Sequence, residues 1–175
     1  MGPIPSADGE QYFSDLYVSS YTPTLSALIQ SRAPCPSTQD RPSLLLVGRP
    51  NDNLPGMWRE IKAIQAHLRD STRCLVSDDA TVDAVTEGLQ QHPFLHLACH
   101  GHLETGKPFD AWFKLRGEGR LTLLDIVRSR LPSAEFAFLS ACHSAKLTEQ
   151  SIADEALHLA AAMQYSGFRS VVGTM

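Results

Sequence analysis

A cysteine and a histidine, each following a short apolar stretch, are the residues of this chain best suited to covalent chemistry. Cys142 ends the stretch Phe136–Cys142, and His100 directly follows the stretch Phe94–Cys99. The thiolate is the reactive form of cysteine, whereas free cysteine is mostly protonated at neutral pH and needs a nearby base. An imidazole is such a base. The two residue types therefore predict a Cys/His nucleophilic centre, provided that the fold brings them together.

Each part of such a centre has a candidate in the chain. His100 would take the thiol proton from Cys142 and later deliver a proton to a leaving amine. The backbone N–H groups of Gly101 and Cys142 would form the oxyanion hole, stabilising the negative charge that develops on the attacked carbonyl oxygen. Together these residues predict acyl-transfer chemistry.

Three further residues are candidates for a substrate pocket. Asp154 and Glu155 carry carboxylates that suit a basic substrate side chain, and Trp112 is an aromatic residue in a polar stretch after His100. Each also has a structural explanation. Carboxylates are favoured in the first turn of a helix by its dipole, and a tryptophan also anchors a loop.

The catalytic interpretation competes with structural ones at every position. A cysteine such as Cys142 is often buried simply for packing, and a histidine such as His100 often hydrogen-bonds a backbone carbonyl. His96 is expected to be a core or supporting histidine. Cys99 directly precedes His100, so its side chain is expected to point to the opposite face of the strand, into the core. The neighbouring histidines also suggest a metal-dependent hydrolase, but no HExxH motif is present, so we predict no metal and no cofactor.

The elements that must position these residues alternate between strands and helices. Apolar stretches predict core strands at Ser43–Gly48, Thr72–Val76, Phe94–Cys99, Phe136–Cys142 and Phe168–Gly173. One helix carries an apolar stripe at Met57, Ile61, Ile64 and Leu68, and others are predicted after Thr81, through Leu124–Arg130 and over Ile152–Met163. This alternation predicts an α/β fold with a mostly parallel sheet covered by helices on both faces. Cys142 and His100 are then expected at the same end of adjacent strands.

The amino-terminal part is predicted to be an extension of the main domain. Residues 1–40 contain an aromatic, β-branched stretch at Tyr12–Tyr21, expected to be extended, a short helix after Pro23, and a proline-rich loop. We predict that this extension packs on a single main domain at residues 41–175. The length of 175 residues suits such a domain.

Composition excludes several classes of protein. The formal charge of −4, without a basic cluster, predicts neither nucleic-acid binding nor attraction to acidic membranes. The apolar stretches are too short to span a membrane. The four cysteines have no CxxC spacing, which favours reduced thiols and a cytoplasmic location.

The chain also resembles a known family, the CHAT domain of the caspase and separase clan of cysteine peptidases. The matching stretches occur in the family's order and are Leu54–Gly56, His96–Gly101, Leu121–Leu123, Leu139–Cys142, Asp154–Ala156 and Gly167–Thr174. The clan places its catalytic histidine before a glycine at one strand end and its cysteine at the next. The positions that match here are His100 and Cys142.

The resemblance implies a caspase-like three-layer α/β/α sandwich and a cysteine endopeptidase that cleaves a protein or peptide substrate. It further implies a role in intracellular signalling or regulated cell death, and partners such as an upstream helical-repeat region or a regulatory protein. Because the family continues beyond the last strand, the resemblance also implies that this chain is carboxyl-terminally incomplete. The alternative is a catalytically inert caspase-like module that scaffolds a complex.

Overall fold

A computed structural model describes residues 4–6, 9–17, 22–34, 43–49, 55–102, 110–140, 142–143 and 159–173. The amino-terminal elements are β1 (Ile4–Ser6), β2 (Gly9–Gln11), α1 (Phe13–Leu16) and α2 (Leu25–Arg32). The extended conformation expected for the stretch after Tyr12 is therefore wrong at α1, which is helical. The helix expected after Pro23 is confirmed as α2, where the Thr24 hydroxyl accepts a hydrogen bond from the Ala27 N–H at 3.1 Å.

Among the remaining elements, the five predicted core strands alternate with helices, whereas three short strands follow one another after the third core strand. Two single-turn 3₁₀ helices, Arg69–Ser71 and Ser77–Asp79, flank the second core strand. In chain order the other elements are β3 (Leu44–Gly48), α3 (Pro55–His67), β4 (Thr72–Val76), α4 (Val82–Gln91), β5 (Phe94–Ala98), β6 (His100–His102), β7 (Trp112–Lys114), β8 (Arg120–Thr122), α5 (Leu123–Ser129), β9 (Phe136–Leu139), β10 (Cys142–His143), α6 (residues 159–166) and β11 (Ser170–Gly173).

Five strands form a parallel sheet in the order β11-β9-β5-β3-β4. All four neighbouring pairs in this sheet are parallel. Leu45 and Val47 of β3 and Leu95 and Leu97 of β5 point to one face, where they pack in the larger core cluster together with residues of α4, α5 and α6. Because side chains alternate along a strand, Leu46 points to the other face, where it packs with α3. Helices therefore cover both faces, and the predicted α/β/α sandwich is confirmed.

Helix α3 lies on its face of the sheet through an apolar stripe. Met57 and Ile61 are buried, and Ile64 packs against them. Gly48 allows this close approach, because a Cβ at that position would overlap the Ile61 side chain. The fourth residue expected in the stripe, Leu68, lies one residue beyond the helix and is 42% exposed. That part of the prediction is wrong.

A second, four-stranded sheet has the order β10-β6-β7-β8. Strands β6, β7 and β8 pair antiparallel, whereas β10 pairs parallel to β6. Its inner face contributes Phe113 and Leu121 to the larger core cluster. Of this sheet, the sequence predicted only a short strand near Trp112. The other strands were missed because strands of two or three residues are too short to show a periodic pattern.

Candidate active site

The two strands that carry the candidate residues are adjacent in both sheets. In the large sheet, Phe94 of β5 pairs with Phe136 of β9. Beyond Ala98 and Leu139 the two strands end, and the chain resumes pairing in the small sheet as β6 and β10. The strands were expected to reach their ends at Cys99 and Cys142. Instead, both leave the large sheet and pair a second time.

In the small sheet Cys142 is the direct register partner of His100. The next pair along the same parallel ladder is His143 and Gly101. Neighbouring strands lie about 4.8 Å apart, so the backbones of Cys142 and His100 are in immediate contact. His100 is half-buried. The side chain of Cys142 lies outside the described part of the structure, as do both candidate pocket carboxylates, Asp154 and Glu155.

Gly101 lies in the middle of β6. It pairs with His143 on one side and with Phe113 on the other, and it is buried. Because Gly101 pairs directly with Phe113, whose side chain packs in the larger core cluster, the two residues lie on the same inner side of the small sheet.

The outer face of the small sheet carries the third candidate for the pocket, Trp112. Trp112 pairs across the ladder with His102, and the two rings stack with centroids 5.1 Å apart and planes inclined by 28°. On its other side the guanidinium carbon of Arg120 lies 4.5 Å from the centroid of the Trp112 ring. This row of aromatic and cationic groups belongs to the same sheet as His100, and its member His102 lies two residues further along β6.

Cys99 is a core residue, as its position in the strand predicts. It is fully buried in the larger core cluster. Burial raises the pKa of its thiol to about 12, although the nearby positive charge of Arg49 acts in the opposite direction. At neutral pH this thiol is protonated and has no access to solvent, so it is not suited to act as a nucleophile.

His96 also belongs to the interior, where it forms a polar cluster with Glu60 and Ser140. It is 8% exposed, and its Nε2 lies 3.0 Å from Oε1 of Glu60 on α3. The Ser140 hydroxyl donates a hydrogen bond to the other carboxylate oxygen, Oε2, at 3.0 Å. The Phe138 ring stacks on the His96 imidazole at 5.0 Å with an interplanar angle of 5°. His96 is therefore the supporting histidine that its sequence position predicts.

The contact between His96 Nε2 and Glu60 Oε1 is short but does not have hydrogen-bond geometry, and it is an ion pair only when the imidazole is protonated. Burial lowers the pKa of His96, and the negative charge of Glu60 opposes that effect without reversing it. The imidazole is thus mainly neutral at pH 7.

Glu60 and Ser140 are members of this cluster that sequence reasoning did not identify. A signal was present for Glu60, which follows Met57 by three positions and precedes Ile61. It therefore lies within the apolar stripe of α3, where a charged residue needs a partner. The partners themselves are far away in the sequence, and only the fold places them beside it.

The described residues contain neither a long apolar helix that could cross a membrane nor a group of three or more His, Cys, Asp or Glu side chains arranged to hold a metal ion.

Comparison with known proteins identifies the family to which this arrangement belongs. No curated protein matches the chain. The CHAT domain family matches it over residues 3–175, which is almost the whole length. The match includes the segment before residue 41, whereas the domain boundary expected at that position stays a prediction. The chain therefore belongs to the CHAT domain family, which is related to the caspase-like cysteine peptidases.

Proposed function

We propose that this chain is a cysteine endopeptidase domain in which Cys142 is the nucleophile and His100 the general base and acid. The observation that carries the proposal is the parallel register of β6 and β10, in which the two residues are direct partners. Membership of a family related to cysteine peptidases supports it further. Two other histidines near this point have neighbours of their own, since His96 is buried beside Glu60 and His102 stacks on the Trp112 ring.

In the proposed reaction His100 removes the thiol proton of Cys142, and the thiolate attacks the carbonyl carbon of a peptide bond. The C–N bond then breaks as the imidazolium of His100 protonates the leaving amine, which leaves a thioester on Cys142. Water deprotonated by His100 hydrolyses the thioester and restores the thiol. Backbone N–H groups of Gly101 and Cys142 would stabilise the oxyanion in both steps.

The substrate in this proposal is a protein or peptide segment that lies over the outer face of the small sheet. Trp112, with its stacked partners His102 and Arg120, offers a surface on which an extended chain packs. Asp154 and Glu155 would bind a basic side chain before the cleaved bond. The proposed setting is cytoplasmic signalling or regulated cell death, with an upstream helical-repeat region or a regulatory protein as partner.

An alkylating activity-based probe tests the proposal directly. A peptidyl probe with an electrophilic ketone should label Cys142, as mapped by mass spectrometry, and a peptide library should be cleaved. Cys142→Ala should abolish both labelling and cleavage, and His100→Ala should lower both at least 100-fold while the protein stays folded. Cleavage that persists in Cys142→Ala would contradict the assignment of the nucleophile.

A second candidate function is a catalytically inert interaction module. Large apolar side chains on the amino-terminal elements favour it, because Leu25 and Ile29 of α2 are 70% and 64% exposed. This function predicts a chain that binds a partner protein equally well with and without Cys142. A wild-type protein that neither cleaves peptides nor reacts with the probe would support it over the peptidase.

A further inference from the structure

We propose that Glu60 is a positioning residue for the His100 and Cys142 pair, because its single carboxylate joins the two strands that lead to them. This inference rests on the proposed function. Glu60 lies on α3, on the opposite side of the sheet from the larger core cluster, and is separated from Ser140 by 80 positions in the sequence. It does not touch the proposed substrate, and it would act only through the strands that it holds.

One oxygen of the carboxylate contacts β5, and the other contacts the residue that directly follows β9. Oε1 lies 3.0 Å from Nε2 of His96 on β5, four residues before His100. Oε2 accepts the hydroxyl hydrogen of Ser140 at 3.0 Å, two residues before Cys142. Because the two oxygens belong to one rigid planar group, these contacts restrict how far the two strand ends can move relative to each other.

The carboxylate lies close to the carboxyl ends of β5 and β9, where the chain passes from the large sheet to the small sheet. Strands β5 and β9 pair up to Leu97 and Leu139, and the Ser140 N–H donates to the Leu97 carbonyl at 2.9 Å. In the small sheet the two segments pair at Cys142 with His100. Between these two sets of pairs both strands pass from one sheet to the other. A carboxylate that contacts both segments near this point adds a side-chain restraint to the backbone pairs.

The position of Glu60 itself is well defined. Its neighbour Ile61 is 1% exposed and packs with Leu46 and Ala98 of the sheet. On the other side of the cluster, the stacked ring of Phe138 holds the His96 imidazole in its plane. The carboxylate is therefore anchored by α3, and the group that it contacts on β5 is fixed as well.

A shift of about 1 Å between reacting groups can lower a rate by about 100-fold. We therefore expect Glu60→Ala to lower kcat 10-fold to 100-fold, with KM changed less than 3-fold, because the substrate surface on the small sheet is untouched. Glu60→Gln keeps one oxygen that accepts the Ser140 hydroxyl, and its rate should recover to within about 5-fold of wild type. Ser140→Ala removes only the link to β9 and should lie between the two.

The test compares these variants in the full chain with Glu87→Ala as a matched control. Glu87 is also a helical glutamate in an ion pair, with Arg73 at 3.0 Å, but it lies on the surface of α4. Two quantities are measured besides the melting temperature: peptide cleavage, and the pH dependence of iodoacetamide alkylation at Cys142 followed by peptide-resolved mass spectrometry. Glu60→Ala should shift the alkylation midpoint of Cys142 towards that of free cysteine, whereas Glu87→Ala should not.

The proposal is overturned if Glu60→Ala lowers only the melting temperature and leaves the alkylation profile and kcat as in wild type. If Glu60→Ala does not fold, Glu60→Gln and Ser140→Ala decide by the same two measurements. Failure of the proposed peptidase function is distinguished from failure of the Glu60 proposal by the wild-type protein, which would then cleave no peptide. The alkylation profile still tests Glu60 in that case, since it reports whether the variants change the surroundings of Cys142.

Discussion

Two cysteines of this chain, Cys99 and Cys142, occupy different places in the fold. Cys99 is fully buried among apolar side chains, and burial raises its thiol pKa to about 12. Cys142 lies instead on the short strand that pairs with His100. Residue type alone is a weak guide to reactivity, because the thiolate fraction depends on the environment.

This contrast predicts a selective pattern of alkylation. In the folded protein at pH 7.5, iodoacetamide should modify Cys142 at least 100-fold faster than Cys99, because the Cys99 thiol is protonated and inaccessible. Peptide-resolved mass spectrometry of timed samples measures both rates. Cys99→Ala should leave peptide cleavage unchanged and lower the free energy of unfolding by about 1–2 kcal/mol through lost packing. Equal alkylation of the two residues in native protein would contradict the prediction.

At the scale of elements, the connection from α6 to β11 packs closely against the chain before β9, where the Leu131 N–H donates to the Ser166 carbonyl at 2.7 Å. Gly167 adopts φ 128°, a region that other residues rarely occupy, and follows the last turn of α6. The Gly167 backbone lies close to Leu131, in the chain before β9. A Cβ added at position 167 would overlap the Leu131 carbonyl oxygen. The glycine predicted to end this helix therefore has a second role in packing.

Gly167→Ala should lower the free energy of unfolding by about 2–4 kcal/mol, from strained backbone and the forced movement of Leu131. Urea denaturation followed by circular dichroism measures the loss. Gly173→Ala is the matched control, because no atom lies within 4 Å of a Cβ added there, and it should change stability by less than about 0.5 kcal/mol. Equal stability of the two variants would rule out the close contact at Gly167.

At the scale of the whole molecule, two buried groups limit the pH range in which the fold is most stable. Burial lowers the pKa of His96 below its ordinary value of 6.5 and raises that of Cys99 from 9.0 to about 12. The unfolded chain binds a proton on the histidine more readily than the folded chain does, and it loses the thiol proton more readily. Both differences favour unfolding outside the neutral range.

The free energy of unfolding should therefore fall as the pH drops below 6.5, and fall again as it rises above 9.0. Each group contributes a slope of at most about 1.4 kcal/mol per pH unit within its window. Urea titrations at a series of pH values measure the free energy of unfolding across both ranges. His96→Gln should flatten the fall at acid pH alone. Cys99→Ala should flatten the fall at alkaline pH alone. If the pH dependence of the free energy of unfolding keeps its slope in the matching variant, another titrating group is responsible for that slope.

Local patterns predicted much of the architecture. Thr81 begins α4 as expected, with its hydroxyl accepting a hydrogen bond from the Ala84 N–H at 3.2 Å. Val85 and Leu89 are buried at the spacing that predicted them. The small sheet was largely missed, because its strands depend on pairing with each other and not on any periodicity of their own. The extended structure expected near Tyr12 failed at α1 because short segments carry weak local preferences.

By itself, the sequence determined which stretches form the core strands and that a cysteine and a histidine would follow two of them. Apolar runs and caps act between residues close in the chain, so they can be read locally. Only the tertiary structure decided that β5 lies beside β9, that Cys142 is in register with His100, and that Glu60 contacts both His96 and Ser140. These contacts join residues up to 80 positions apart. They arise when α3 and the strands pack as one body, which no local pattern encodes.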